Sequence, residues 1–406
     1  MALTEVTEPM LTNNVFAEKM DKTNSLLATM VRQGAPSEVN WLLLKEYAHE
    51  GVFGDLYSYG DQFVDKWKDV ANNTDYAYPW RLNHIGQYKL ADGEILSNRP
   101  CLQLHYAHPF GVQFSHPRAF LRCPDGLSSG TYYFTIESSW GSNVSAGDIV
   151  CFTLTQPVPA GGRVAGCYYA PDYAKSSWRI YSYSADGKTV IETVTPTFSA
   201  SGTNLGIQKH NTRNGNINST QEMAYGWNRW KTSAIRQYLN SSAGVGAWWT
   251  AQDEWDIAPE QLTTKAGFLS GCSEAFINAI KPVEVKTYVN TVYDSSQQTE
   301  DYDLTYDKVF LPSLEEMYIN PQTQGEGEVH EYWRRRSGRT TPHPWYTSAP
   351  EYITYAVENH TSPLHVRLRS AYRGHAFNAW LVASSGYVYD YGLAYNSHRF
   401  SPLVVL

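Results

Sequence analysis

Apolar side chains near the start of the chain recur at the spacing of an α-helix. Phe16, Met20, Leu27 and Val31 would share one helix face, and the stretch EVNWLLLKEYAHEGVFGDLY continues this pattern. The pattern predicts a helical region within residues 1–78. An amphipathic helix at a terminus is either an edge helix of the next domain or a docking or oligomerisation segment.

The pattern changes at Trp80 to short apolar runs separated by turn residues, such as CLQLHY, TYYFTIESSW and SWRIYSYSADGKTVIETV. The residues SADGKT, between two alternating runs, predict a β-hairpin. Several strands at this spacing predict an antiparallel β-sandwich or jelly roll over residues 79–204, and SASGTNLG marks its end.

Helical and alternating patterns are mixed in residues 205–406. RWKTSAIRQYLNSS and SEAFINAIK predict short helices, VEVKTYVNTVY predicts a strand, and KVFLPSLEEMYI predicts a strand followed by a short helix. Long connections separate them, which is typical of an α+β domain with loops on a small sheet. The fold class predicted for the whole chain is therefore α+β and multidomain.

Composition narrows the class of partner. The chain has 406 residues, 42% hydrophobic and 18% charged, which indicates a folded protein of two or three domains. Its net charge of −8 argues against nucleic acid as the main partner. The start, MALTEVTEPMLTNN, has no signal-peptide pattern, and no apolar stretch reaches the length that spans a bilayer. We expect a protein made in a cytoplasm, without membrane insertion.

Residue types that carry chemistry form no catalytic or metal-binding motif. The five cysteines are scattered without a CxxC pair, which predicts reduced, buried thiols and argues against zinc. No HExxH, GxSxG, P-loop or GxGxxG occurs, and Cys272 has no identifiable catalytic partner. We therefore predict neither an enzyme nor a bound metal or cofactor. The cysteines are Cys101, Cys123, Cys151, Cys167 and Cys272.

Two acidic clusters each allow two interpretations. The first could supply a glycosidase acid and base, but helix capping or solvent exposure is favoured, because proximity in sequence does not place carboxylates across a cleft. The second, EDYDLTYDK, resembles a calcium loop but lacks its glycine and its terminal glutamate, so a solvated loop is favoured. The first cluster comprises Asp253, Glu254 and Asp256, and the second Asp301, Asp303 and Asp307.

A basic cluster, Arg334, Arg335, Arg336 and Arg339, lies in HEYWRRRSGR. It could bind phosphate or an acidic glycan. A solvated loop or an ion pair between subunits is favoured.

The C-terminal stretch SAYRGHAFNAWLVASSGYVYDYGLAYNSH, residues 370–398, contains no Lys, Glu, Gln or Met. Within it GYVYDY alternates, so that Val388 would face the core and Tyr387, Tyr389 and Tyr391 would point outward. FSPLVVL then predicts a buried terminal strand. By pattern alone this region is an aromatic-rich β-meander.

The run RLRSAYRGHAFNAWLVASSGYVYDYGLAYNSHRFSPLVVL resembles the variable region of proteins diversified by diversity-generating retroelements. In that family a constant frame similar to LRS..RG...NAW.V.SSG.V is interrupted by positions that are rewritten by copying errors at template adenines. Rewriting the first two bases of an Asn codon cannot yield Lys, Glu, Gln, Met or Trp. The missing residue types are on that list, and Trp380 lies at a frame position.

The resemblance extends upstream more weakly. WNRWKTSAIRQYLNSS and DKVFLPSLEEM are similar to a domain family of unknown function that carries such variable ends. The resemblance implies a C-type-lectin-like fold for residues 205–406, with a variable segment at about 367–399. The calcium-binding Glu-Pro-Asn, Gln-Pro-Asp and Trp-Asn-Asp motifs of true C-type lectins are absent, as are the paired cysteines of formylglycine-generating enzymes, so neither site is carried over.

The resemblance divides the variable segment into two sets of positions. Tyr-, Ser-, Gly- and Asn-rich surfaces are also typical of antibody paratopes. The ligand-binding, variable set is Tyr372, His375, Phe377, Asn378, Leu381, Ala383, Tyr387, Tyr389, Asp390, Tyr391, Gly392, Leu393, Tyr395, Asn396 and His398. The constant frame is Leu368, Arg369, Ser370, Trp380, Val382, Gly386, Val388, Phe400 and Pro402.

The function implied is a receptor-binding protein at a phage tail tip or fibre. Its helical region would attach to other virion proteins, its β-sandwich would act as a spacer, and its lectin-like domain would bind a host-surface protein or glycan, as a homotrimer. One alternative is a diversified bacterial binding protein that is not part of a virion. Two others are a glycan-cleaving tail enzyme and a capsid decoration protein without a receptor.

A diversified gene makes a testable prediction about its DNA. We expect a reverse-transcriptase gene nearby and a near-copy of the segment encoding residues 367–399, differing only where the copy carries adenine. Sequencing the gene and its flanks tests this. Differences at all four bases, or no copy, would contradict the resemblance.

Overall fold

The chain is mixed α/β, with mostly antiparallel strands and few, short helices. None of the described helices is long and apolar enough to cross a membrane. Residues 1–38, which hold the first part of the predicted helical region, lie outside the described residues. The computed structural model describes residues 39–115, 119–122, 125–135, 145, 147–168, 175–185, 189–204, 228–252, 258–289, 302–322, 324–372 and 378–406.

A five-stranded antiparallel sheet joins the two ends of the described chain. Its strand order is β1-β2-β3-β20-β14, and Leu102 of β3 lies opposite Val404 of β20. The predicted terminal strand is therefore confirmed, and it is fully buried. The strands are β1 (Gln62–Asp69), β2 (Thr74–Lys89), β3 (Ile95–Leu104), β14 (Val309–Phe310) and β20 (Leu403–Val405).

Strand β1 occupies sequence that was predicted to be helical, so that part of the prediction is wrong. Phe63 and Trp67 are both buried in the sheet core. They are four residues apart, a spacing that is compatible with one helix face and also with one face of a strand. Pairing with β2 along all of β1 decides between the two.

Short helices pack their aromatic side chains onto this sheet. Trp41 of α1 meets Phe276 of α4 edge-on at 4.8 Å, and Phe276 stacks on Trp80 of β2 at 5.1 Å. The predicted helices at SAIRQYL and SEAFINA are confirmed, and the hydroxyls of Ser233 and Ser273 cap their first turns. The helices are α1 (Trp41–His49), α2 (Phe53–Leu56), α3 (Ala234–Leu239), α4 (Glu274–Ala279) and α5 (Glu331–Ser337).

Two four-stranded sheets share a second apolar core, as a β-sandwich does. Phe134 and Phe152 from one sheet share this core with Trp178 and Ile180 from the other. The predicted hairpin is confirmed as β8 and β9. The first sheet holds β5 (Gly130–Thr135), β6 (Ile149–Leu154), β10 (Thr197–Phe198) and β11 (Thr203–Asn204), and the second β4 (Ala119–Arg122), β7 (Arg163–Tyr168), β8 (Trp178–Tyr183) and β9 (Val190–Val194).

Three smaller sheets complete the C-terminal half. A third apolar core, which includes Trp333, Leu368 and Trp380, lies behind the three-stranded sheet β17-β18-β19. The strands are β12 (Val283–Tyr288) paired with β13 (Tyr302–Asp307), β15 (Thr354–Tyr355) paired with β16 (Pro363–Leu364), and β17 (Val366–Ala371), β18 (Asn378–Val382) and β19 (Val388–Leu393).

The short helix predicted after KVFLP is instead a series of turns. Ser313 and Glu316 form a reciprocal capping pair: each side chain accepts a hydrogen bond from the other residue's backbone N–H. Tyr318 has a φ of 57°, which is outside the helical region. The helix start is therefore present, but the chain turns away after one turn.

The sheets do not follow the predicted domain boundaries. The boundary after residue 78 falls inside β2, and β1–β3 share a sheet with β14 and β20. The two sandwich sheets occupy residues 119–204 and leave β2 and β3 outside them. Strands β14 and β20, which are distant in sequence from β1–β3, complete the central sheet, and local sequence patterns do not indicate such pairing.

Truncation of Leu102 tests how far the central sheet stabilises the protein. Leu102 is fully buried between β2 and β20. We expect Leu102→Ala to lower the free energy of unfolding by about 2–5 kcal/mol. The matched control Leu42→Ala, at a side chain 58% exposed, should change it by less than about 0.5 kcal/mol. Urea unfolding followed by tryptophan fluorescence measures both, and equal losses would contradict the prediction.

Candidate ligand-binding surface

The predicted frame positions are buried. Leu368, Trp380 and Val388 are fully covered in the third apolar core. Gly386 has a φ of 77°, and a Cβ there would lie 2.2 Å from the carbonyl oxygen of Ala349, so only glycine fits. The remaining frame residues, Arg369, Ser370, Val382, Phe400 and Pro402, are buried as well.

A buried ion pair fixes β17 from one side. Arg369, which is 1% exposed, donates to both carboxylate oxygens of Glu316 at 2.5 and 2.9 Å and to the carbonyl of Leu311 at 2.7 Å. Ser370 donates to the carboxylate of Glu326. Burial opposes the charge on Arg369, but the Glu316 carboxylate raises the pKa of Arg369 above its usual value. The ion pair therefore remains charged in the interior.

Arg367, also on β17, holds the variable segment by its backbone. Its buried guanidinium donates to the carbonyl oxygens of Gly392, Leu393 and Asn396 at 3.0, 2.7 and 2.8 Å and lies 5.0 Å from the ring centroid of Phe114. Burial lowers the pKa of its guanidinium to about 9. These bonds do not depend on which side chains residues 392–396 carry.

Asn228 acts in the same way at the other end of the sheet. Its side-chain amide donates to the carbonyl oxygens of Tyr372 and Asn378, at 3.3 and 2.5 Å. Those two residues flank residues 373–377, which lie outside the described part of the chain. The amide therefore fixes both ends of this connection through backbone atoms.

The loop after β3 holds the end of the variable segment. The Gln113 side chain donates to the carbonyl of Tyr395 at 2.6 Å, and the backbone N–H of Phe114 donates to the carbonyl of Ala394 at 2.8 Å. Residues from three separate regions thus fix this segment through its backbone.

The structure divides the predicted variable positions by exposure. The partly exposed positions are Tyr372, Tyr387, Tyr389, Asp390, Asn396 and His398. The buried ones are Asn378, Leu381, Ala383, Gly392, Leu393 and Tyr395. His375 and Phe377 lie outside the described residues, and of Tyr391 only its backbone position in β19 is described.

The buried positions correct the expectation that all variable side chains are displayed. Leu381 follows Trp380 in β18, so the two side chains point to opposite faces of the sheet. Both faces of β18 are covered, and Leu381 is therefore fully buried as well. Leu393 and Tyr395 pack into the core of the β-sandwich. The β-sandwich covers the side chains of Leu393 and Tyr395, and the sequence of the variable segment alone does not indicate this contact.

Aromatic side chains at the exposed positions meet in one surface, which also includes two residues outside the variable segment. Ring centroids follow one another from Tyr346 to Tyr387 (6.5 Å), Tyr389 (5.9 Å), His365 (6.4 Å) and His398 (6.1 Å). We call these residues, with Tyr372 and Asp390, the display surface.

Tyr346 was missed by sequence reasoning and is 47% exposed. Burial, together with hydrogen bonding to Tyr372 and Asp390, raises its pKa well above the usual value. Its φ of 55° is left-handed, and its N–H donates to the carbonyl of Val388, so the backbone directs the ring toward β19. The segment PHPWYTSAP has no periodicity that could have indicated this role.

His398 is neutral at the edge of the display surface. Burial, with the nearby positive charge of Arg367 and with His365, lowers the pKa of His398 to about 3. The display surface therefore carries tyrosine hydroxyls, neutral imidazole and one carboxylate, Asp390.

The other candidate sites have structural roles or lie outside the described residues. The sequence favoured a solvated loop for Asp303 and Asp307, but both lie in strand β13. There they pair with Arg229 and Arg236 at 2.5 and 2.7 Å. No group of metal-binding side chains occurs among the described residues. Asp253, Glu254, Asp256 and Asp301 are not in the described part.

Three of the four arginines of the basic cluster lie on helix α5, and not in the loop that was favoured. Arg334 and Arg335 of α5 pair with Glu331 of the same helix at 2.7 and 2.6 Å, and Arg339 lies 3.8 Å from Glu351. Arg336 is exposed on the same helix. At least three of the four charges are thus partly neutralised within the chain.

Three of the cysteines, Cys101, Cys151 and Cys272, are described as free thiols. Burial raises the pKa of Cys101 and of Cys272 well above the usual value, so their reactive thiolate forms are disfavoured. Nothing is described of the side chains of Cys123 and Cys167.

Taken together, these features define a β-rich protein in which a buried framework holds a tyrosine-rich surface. Residues 189–405, more than half of the chain, match a family described as a domain of unknown function, DUF6273, and the chain belongs to this family. No curated protein and no solved structure matches the chain. Strands β1–β3 lie before the matched region, although they share its sheet.

Replacing Arg367 tests the backbone anchor. Arg367→Met keeps the side-chain length but leaves the three carbonyl groups without their donor, so we expect a loss of about 2–3 kcal/mol in the free energy of unfolding. Amide hydrogen exchange should also accelerate in residues 388–396. The control Arg335→Met, on the exposed face of α5, should change stability by less than about 0.5 kcal/mol. Equal effects of the two changes would refute the anchoring role.

Proposed function

We propose that this chain is a retroelement-diversified ligand-binding protein whose display surface binds molecules on the surface of a host cell. In this proposal residues 205–406 form a C-type-lectin-like frame, completed by the central sheet. The observation that carries the proposal is that Arg367 and Asn228 hold the segment by backbone carbonyls, those of Asn378, Gly392, Leu393 and Asn396. Side chains there can change while these anchors remain, which a diversified binding site requires.

The chemistry of the display surface suits a host protein or glycan. Tyrosines present large amphipathic area at low entropic cost, and both Asp390 and the tyrosine hydroxyls offer hydrogen bonds. Tyr346 and His365 would be contacts common to all variants, because they lie outside the variable segment. The mechanism invokes no metal and no cofactor: binding would come from shape, ring contacts and hydrogen bonds.

We further propose that the protein is part of a phage virion, at a tail tip or fibre, as a homotrimer attached through its N-terminal region. Several copies on one particle would strengthen weak individual contacts. The role of the β-sandwich changes from the spacer first expected. Because Leu393 and Tyr395 pack into its core, we infer that it supports the end of the variable segment.

Adsorption measurements test the proposal. We expect virions carrying Tyr387→Ser, Tyr389→Ser and Asp390→Ser together to adsorb to their propagating bacterium at least about tenfold more slowly, because central aromatic contacts dominate binding energy. These side chains are partly exposed, so the melting temperature of the purified protein should stay close to that of the parent.

The control is Tyr133→Ser, at a partly exposed tyrosine of the β-sandwich, which should adsorb normally. Normal adsorption by the triple variant would refute receptor binding by this surface. Peptide mass spectrometry of purified virions provides the second arm. Absence of the protein from the particle would favour the diversified bacterial protein.

A further inference from the structure

A cavity separate from the display surface opens beside strands β2 and β12. Its volume is about 330 Å³, which is within the range of sites for small ligands. Its lining includes Gln87, Lys89, Glu284, Lys286 and Glu328, with Arg369 of β17 contributing as well.

The charged groups of this cavity largely neutralise one another. Lys89 pairs with Glu284 at 3.0 Å, and Arg369 pairs with Glu316 at 2.5 Å. Lys286 and Glu328 contribute opposite charges. The cavity therefore offers many hydrogen-bonding groups at close to zero net charge.

Burial reduces the remaining negative charge. The buried carboxyl of Glu326, which also lines the cavity, has its pKa raised by burial to about 7. It is therefore partly protonated at neutral pH.

An exposed row of apolar and aromatic side chains continues from this cavity. Tyr302, Leu304 and Tyr306 on β13 are 45%, 39% and 37% exposed. They lie opposite Tyr288, Lys286 and Glu284 on β12. Directly opposite residues of paired strands share a face, so the row is on the same face as two residues that line the cavity.

Contacts between the strands orient this row. The Tyr306 hydroxyl donates to Glu284 at 3.1 Å, and the Lys286 ammonium lies 3.9 Å from the ring centroid of Tyr302. The tyrosines are thus held next to polar groups instead of projecting freely. We call the cavity and this row together the β12–β13 site.

We propose that the β12–β13 site binds an uncharged saccharide. The C–H groups of a sugar ring pack on an aromatic face, as other apolar groups do, and its hydroxyls need several donors and acceptors. The paired carboxylates and ammonium groups that line the cavity supply donors and acceptors without favouring a charged ligand. The site consists of residues outside the variable segment, Arg369 excepted, so it would keep one specificity while the display surface varies.

Saturation-transfer NMR on the full-length protein tests this site. The probes are neutral disaccharides of hexoses and N-acetylhexosamines. We expect transfer to the ring protons of at least one probe, and affinity about fivefold to tenfold lower in Tyr302→Ala and in Tyr306→Ala. Glu284→Gln should also weaken binding. Tyr355→Ala, at a tyrosine of comparable exposure (38%) on β15, is the control and should bind normally.

Three results would overturn the inference: no transfer to any probe, equal transfer in all variants, or a change in sedimentation of Tyr302→Ala that identifies the row as a subunit interface. The triple variant at Tyr387, Tyr389 and Asp390 separates this inference from the proposed function. It should bind the saccharide normally even where adsorption fails. Loss of saccharide binding in that variant would place the sugar on the display surface and refute the β12–β13 site.

Discussion

The display surface depends on the hydrogen bonds made by two buried arginines of β17. Charges are costly to bury unless their hydrogen-bonding groups find partners. Arg369 finds partners for its two terminal nitrogens, chiefly the carboxylate of Glu316, which also caps the turn after β14. Arg367 finds partners for its two terminal nitrogens in backbone carbonyls of the variable segment. One strand therefore links the interior to the segment whose side chains are expected to change.

This arrangement separates the anchoring of the segment from the identity of its side chains. Backbone carbonyls are the same whatever side chain a residue carries, so anchors that use them place little restriction on sequence. The residue types that are restricted are those of the donors. Two of these, Gln113 and Asn228, come from regions far in sequence from the segment they hold. Strands β1–β3 belong to the same scheme, because the loop after β3 carries one of these anchors and β3 pairs with the terminal strand β20.

Much of the local structure could be predicted from sequence, for identifiable reasons. The frame residues Trp380, Val382 and Val388 alternate as core positions of strands do, and all three are buried. The β8–β9 hairpin followed from its turn residues, and α3 and α4 from their apolar spacing. The helix predicted over β1 was wrong because Phe63 and Trp67 fit both periodicities and only pairing with β2 distinguishes them.

By itself the sequence determined which residue types occupy residues 367–399 and which of them alternate as core positions of strands do, because composition and alternation are local properties. Tertiary structure decided which of those side chains are exposed. Leu393 and Tyr395 are covered by the β-sandwich, and Leu381 lies in a strand buried on both faces. Only the folded chain brings Tyr346 onto the surface, because exposure and contact depend on neighbours that are distant in sequence.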